Sequence, residues 1–389
     1  MRAVFGLVLG VAGATFLLEL ALWLLPVQDG IFSADSDVAW PVHHLVKNSE
    51  LTFSSTWSLQ DVVRGRTNNF GYVAPFDYER GQKAVVVLGD SYVESMMNPY
   101  EETLQAVLGR ALGPDVAALN FGISGASLPD YTGIASLVRR SFDPVWVVVL
   151  VTEGDYVQGF SPQPGHFLWS ERPAGDSRLV ADAQRSALTK TVRRLALVRY
   201  TRGNLRLTSA GLFHSRPSTH VAACVPETLS ADDRDRIRSY VRALPRDYGI
   251  SAQHVVIIVD SETKRHSLYD SRSVAPECPS RDAEALAMLA AEAERTGINV
   301  VDTGPIFEQH YRATGVRVDH SPADFHWNGV GHKLAAEGVL RAMCAAASDA
   351  SACRALPHTQ HGTSCGRAQS SPSDVSYTHA GSCTGRLHP

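Results

Sequence analysis

The chain has 389 residues, 44% of them apolar and 20% charged, which is ample for one substantial core with appendages. A net charge of −4, with no basic stripe interleaved with aromatics, speaks against a nucleic-acid partner. The six cysteines suit an exported chain. None forms a Cys-x-x-Cys pair and the histidines show no ligand spacing, so neither a metal nor a cofactor is expected.

Met1-Arg2 precedes an apolar run from Ala3 to Leu25. At about 23 residues it is long enough to cross a hydrocarbon core of ~30 Å as a transmembrane helix. Glu19 is its only charge, and Arg2 is the last basic Lys or Arg before Lys47. That bias puts the N-terminus in the cytoplasm and the bulk of the chain outside, in the periplasm or beyond the cell. The run exceeds a signal-peptide core and no clear Ala-x-Ala site follows Pro26, so an uncleaved anchor is expected over a cleaved signal. Residues 1–28 are thus read as membrane anchor or signal, and 29–65 as linker and lead-in.

Next come five short, unalternating apolar runs, as expected of buried parallel strands: Ala84–Leu88, Val116–Asn120, Val145–Val151, His254–Asp260 and Ile298–Asp302. Between them, Glu101–Leu112, Asp130–Phe142, Asp232–Leu244 and Arg281–Thr296 carry helical spacing, with Ser230 and Ser280 placed as N-caps. Alternating strands and helices predict an α/β fold, a parallel sheet with helices on both faces. Sites in such sheets form at the carboxyl ends of the strands, where Ser91, Gly125 and Gly154 all fall.

Ser91, in Gly89-Asp90-Ser91 just past the first run, gains meaning from Asp324-Phe325-His326-Trp327-Asn328 far downstream. A serine hydroxyl is a poor nucleophile until an imidazole takes its proton. A carboxylate then fixes the tautomer of the imidazole and stabilises the imidazolium that forms. Ser91 also falls where a helix would begin, and amides at a helix start favour developing negative charge.

Gly89-Asp90-Ser91-Tyr92, Asn120-Phe121-Gly122-Ile123-Ser124-Gly125 and Asp324-Phe325-His326-Trp327-Asn328-Gly329-Val330-Gly331-His332 resemble the first, second and last blocks of the SGNH (GDSL) hydrolases. Asn68-Asn69-Phe70-Gly71-Tyr72 resembles the lead-in of many bacterial members. The likeness covers residues 68–160 and 290–345. It implies a flavodoxin-like three-layer α/β/α fold on a five-stranded parallel sheet. It implies Ser91 as nucleophile, His326 as base, Asp324 as its orienter, and the Ser91 and Gly125 amides as oxyanion donors. The Asp-x-His spacing is similar to that of periplasmic acetyltransferases and esterases of polysaccharide modification.

One block departs from the family. Where it has Gly-x-Asn-Asp or Glu-Gly-Asn-Asp, this chain reads Thr152-Glu153-Gly154-Asp155, so the Asn that is the third oxyanion donor is either replaced by Gly154 or deleted, with Asp155 slid toward its place. Losing such a donor costs about 10²–10³ in turnover, unless Asn120 or Thr152 substitutes. The readings that follow are a serine esterase acting on O-acyl groups of a carbohydrate or another ester, an O-acyltransferase on an exported polysaccharide, or a catalytically weak SGNH-like binding module. A lipase near the membrane has only the anchor in its favour.

Asp90 and Asp155 are read mainly as loop braces, with Asp90, Trp169 and Trp327 also candidate substrate contacts. His332 is read as a packing residue, and His320 lacks the Asp-x spacing. The stretch from Gln158 to Trp169, rich in aromatics, Gly and Pro, is expected to form a loop over the site where Phe160, Phe167 and Trp169 could stack on sugar rings or simply pin the loop. The hydrolase domain is assigned to 66–348, with an insertion at about 156–253. Residues 349–389 are read as a low-complexity disordered tail, and pairing of cysteines by sequence neighbours is the simplest connectivity.

Overall fold

The structure, a computed structural model, describes residues 1–29, 40–170, 177–180, 186–205, 207, 228–269, 280–321 and 324–346. The tail assigned to 349–389 and every cysteine but Cys344 lie outside the described residues; Cys344 is disulfide-bonded.

After the apolar helix α1 (Arg2–Trp23), β1 (Glu50–Ser55) and β2 (Gln60–Arg66) form an antiparallel hairpin. The main sheet holds β3 (Lys83–Gly89), β4 (Ala117–Gly122), β5 (Asp143–Thr152), β8 (Val255–Asp260) and β9 (Asn299–Asp302), and β6 (Phe167–Trp169) pairs with β7 (Ser177–Leu179) apart from it. All pairings in the main sheet are parallel and its order is β4-β3-β5-β8-β9. That is the flavodoxin-like order, in which the connections reverse direction between β3 and β5.

The inner strands β3, β5 and β8 are buried on both faces. In β3, Ala84, Val86 and Leu88 enter one apolar cluster while Val85 and Val87 enter the other; in β5, Val147, Val149 and Val151 part likewise from Val148 and Leu150. This period-two split of unbroken apolar strands makes three layers. The first face is covered by α4 (Leu128–Gly133), α5 (Ala135–Ser141), α9 (Ala231–Tyr248) and α11 (Arg281–Arg295). The second is covered by α2 (Ser91–Glu94), α3 (Leu104–Leu112), α12 (Thr303–Thr314) and α13 (Gly329–Ala346). Remaining helices are α6 (Asp155–Gln158), α7 (Ala187–Arg194), α8 (Ala196–Arg199) and α10 (Glu262–Tyr269).

Strand positions agree with the apolar runs to within two residues. Ser230 and Ser280 cap their helices, accepting from the amides of Asp233 and Ala283. The helix expected over Asp130–Phe142 is instead the pair α4 and α5, and the one expected from Glu101 begins as a 3-10 turn over Tyr100–Glu102. Within the stretch read as linker, the hairpin is an element that the sequence reading did not anticipate.

Candidate active site

Ser91 is the first residue of α2, directly after β3, with Asp90 as N-cap accepting from the Tyr92 amide at 2.9 Å. Being at the helix start, the Ser91 amide has no partner within the helix and is left for an anion. α2 is a single turn, so its dipole adds little to what that amide offers directly.

The end of β4 presses against this turn. A Cβ on Gly122 would collide with the Glu94 amide and the Val93 backbone, so only glycine lets the second block approach the helix that begins at Ser91. Gly125 follows at φ +87°, its carbonyl held by the Gln158 side-chain amide at 3.1 Å.

Asp324 and His326 come from the loop before α13. The Ser91 hydroxyl lies 2.7 Å from His326 Nε2, and His326 Nδ1 hydrogen-bonds Asp324 Oδ1. The same carboxylate oxygen accepts from the His326 backbone amide at 3.0 Å, which explains how a two-residue spacing serves: the loop curls the acid back onto its own histidine. With Nδ1–H donated to Asp324, Nε2 presents its lone pair to the serine O–H. Burial lowers the imidazole's proton affinity, but the Asp324 hydrogen bond and charge, helped by Asp90, outweigh it and leave the net shift upward.

A buried clamp holds this loop. Arg265 on α10 pairs with Asp260 at the end of β8 and donates to Asp319 at 3.0 Å, to the Tyr92 hydroxyl at 2.7 Å and to the Phe325 carbonyl at 2.8 Å. The Tyr92 hydroxyl also donates to the Phe325 carbonyl, at 3.1 Å. Nothing in the local sequence marks Arg265, and sequence reasoning missed it. Glu94 was missed as well: fully buried, it accepts from the Ser124 hydroxyl, while its other oxygen finds no partner. Burial pushes its carboxyl up to about 7. Its spacing, three residues after Ser91 in the same turn, was the available signal.

Gly154 is the position at which the sequence departs from the family block. Gly154 stands at φ +94°, where a Cβ would meet nothing within 4 Å. Neither alternative donor is free to replace the missing amide. Asn120 spends its side chain on the Val73 carbonyl and the Gly122 amide. Thr152 bonds Asp155 at 3.0 Å and Asp90 at 3.4 Å. Burial, followed by the charge of Asp90, pushes the Asp155 carboxyl well up, and its oxygens accept from Tyr131 and from the Thr152 amide and hydroxyl, so that it braces the loop.

Two expected substrate contacts are corrected. Trp169 is 3% exposed, edge-on to Tyr240 and under Arg236, and Trp327 is fully buried with its indole N–H on Asp260 at 3.2 Å. Their large apolar faces are spent on the core, so neither can stack on a sugar. Asp90, also buried, caps α2 rather than facing the cleft. Of the aromatics in the loop, Phe160 is the exposed one.

Neither extra histidine competes as base. Burial holds His332 down to about 3; Nδ1 accepts from the Leu104 amide, so Nε2 donates to Ser95 Oγ at 2.9 Å. Burial also lowers His320, which bonds Asn98 at 3.1 Å. Asn98 in turn donates to the Trp327 carbonyl at 2.8 Å, strutting the Asp324–His326 loop against the segment that follows α2. Among the described residues no cluster of His, Cys, Asp and Glu is arranged to hold a metal.

No family model matches the sequence, and no curated relative does. Among solved structures the chain is similar to LAE5, an alpha/beta hydrolase enzyme from the metagenome of Lake Arreo, at 14% identity and a TM-score of 0.36, over 70% of this chain and 99% of that one. It is also similar to a member of the lipolytic protein G-D-S-L family from Veillonella parvula, at 13% identity and a TM-score of 0.34, over 67% and 97% of the two chains. A third is a carbohydrate acetylesterase family member from Sinorhizobium meliloti, at 13% identity and a TM-score of 0.31, over 68% and 99%.

Proposed function

We propose that this chain is a serine esterase of the SGNH type that cleaves O-acyl esters through an acyl-enzyme on Ser91. The observation that carries the reading is the unbroken chain of hydrogen bonds from Ser91 Oγ through His326 to Asp324. Ser91 Oγ attacks the ester carbonyl carbon as His326 Nε2 takes the hydroxyl proton. The oxyanion is received by the Ser91 and Gly125 amides. Collapse breaks the bond to the alcohol, which leaves with the proton from His326, and water activated by the same imidazole then releases the acid and regenerates Ser91. Asp324 remains ionised and orients the ring.

The substrate class, acyl groups on a carbohydrate, rests on the resemblance of the Asp-x-His block. The apolar helix α1 is a retained anchor, and the catalytic domain works outside the cytoplasm. Within this reading residues 66–348 form the hydrolase domain. The test is hydrolysis of a short-chain aryl ester by purified protein: Ser91→Ala abolishes it, and unchanged turnover removes Ser91 as nucleophile.

A further inference from the structure

The segment from Ala187 to Leu205 lies within the long excursion between β5 and β8, yet it packs on the end of α1 and on the β1–β2 hairpin. Glu19, the lone acidic residue of the apolar helix, accepts from the amides of Ala196 and Leu197 at 2.7 and 2.8 Å, so α8 starts on a carboxylate from α1. Leu22 buries itself with Val27 and Ala196 in a small cluster of their own. Asn204 donates to the Ser54 carbonyl at 3.0 Å and accepts from the Gln28 amide, and Tyr200 donates to the Trp57 carbonyl at 2.7 Å. The last turn of the apolar helix is thus built into the domain's own hydrogen bonding.

What this mount leaves outward includes an apolar face. On α7, Leu188 and Val192 stand four residues apart on one face, 74% and 41% exposed, and Leu195 follows at the helix end. Trp23 on α1 and Trp57 at the hairpin tip are exposed beside the same junction, while Arg193 and Arg194 lie in the last turn of α7. Glu19 is four residues from the end of α1, so α8 begins about 6 Å inside that end. That is the depth, about 5–10 Å, at which interfacial helices bury their apolar face. Exposed tryptophans beside such a junction suit the headgroup belt.

We propose that α7 and the start of α8 lie in the membrane interface beside α1, with Leu188, Val192 and Leu195 in the acyl boundary and the arginines toward the phosphates of an anionic bilayer. A single spanning helix leaves a domain free to swing; a second, interfacial contact fixes its attitude to the surface. The proposal rests on the reading of α1 as a retained anchor.

The experiment is tryptophan quenching of the full chain in anionic nanodiscs whose lipids carry bromine near the headgroup end of the acyl chains. Leu188→Trp adds emission, at least half of which brominated lipid should quench relative to the unbrominated disc; Val192→Trp gives an independent reading should the first variant fold poorly. If the parent's own emission is quenched through Trp23 while the added emission is not, α1 is an anchor but α7 lies away from the lipid, and the proposal is overturned. If neither is quenched, the anchor reading has failed and the proposal with it. Added emission shielded from aqueous iodide yet untouched by brominated lipid assigns the face to a protein partner, which also overturns it.

Discussion

Arg265 Nη2 donates to the backbone carbonyl of Phe325 across 2.8 Å, and Phe325 is the residue between Asp324 and His326. The positions of Asp324 and His326 therefore depend on a guanidinium that touches neither of them. Its planar fork also spans Asp260, Asp319 and Tyr92, a set that a lysine ammonium cannot reach at once. Arg265→Lys should lower kcat by about tenfold or more with KM little changed, since a misplacement of about 1 Å costs up to 10²-fold. Arg265→Met, which strands two buried carboxylates, should also cost about 3–5 kcal/mol of stability. Steady-state kinetics beside urea unfolding separate the effects; a fall in stability alone, with kcat of the lysine variant intact, would make the clamp purely structural.

The upward shift of His326 sets the acid limb of activity. The imidazole must be neutral to accept the Ser91 proton, so kcat/KM should fall as pH drops through a value above the ordinary histidine pKa of about 6.5. Asp324→Asn removes the hydrogen-bonded charge that raises it. That variant should move the limb to lower pH while reducing the plateau by several orders of magnitude, on the order of 10⁴. A pH–rate profile of both proteins checks the direction.

Glu94 should make stability depend on pH in a defined window. Its folded value of about 7 lies above the ordinary glutamate value of 4.5, so the folded state holds the proton more tightly than the unfolded one. The stability is full below 4.5, declines as pH rises and is lost by about 7, a span worth about 3 kcal/mol. Glu94→Gln mimics the protonated form. The variant should match the parent at pH 4.5 and gain on it up to pH 7, read by denaturant unfolding across that range; a constant difference would refute the assignment.

Gly154→Asn tests the oxyanion side. There is room for the new side chain, but φ +94° strains any non-glycine residue, at a cost on the order of 1–3 kcal/mol. Turnover should rise tenfold or more despite lower stability, while Gly154→Ala should pay the strain with no gain. Equal kinetics for the two variants would mean that the site already has a third donor.

The sheet strands were legible because strands buried on both faces leave unbroken apolar runs, and the nearness of Ser91 to His326 and Asp324 because Ser91 follows a strand end and the other two share one short block. The β1–β2 hairpin was not: its turn uses Thr56 and Leu59 at φ +58° and +55°, where Gly, Asn or Asp usually announces such a conformation. Nor were the roles of Trp169 and Trp327, since an aromatic in a polar loop reads as exposed until the element that covers it is known. The Arg265 clamp joins groups 54 and 60 residues apart in sequence, a distance at which spacing carries no signal.

The most direct test of the triad is labelling of the purified chain with a fluorophosphonate, followed by mass mapping of the adduct. The geometry predicts a single adduct on Ser91 that disappears in His326→Ala. A folded protein that takes no label at Ser91, or takes it equally without His326, would contradict an activated nucleophile and leave the site a binding surface.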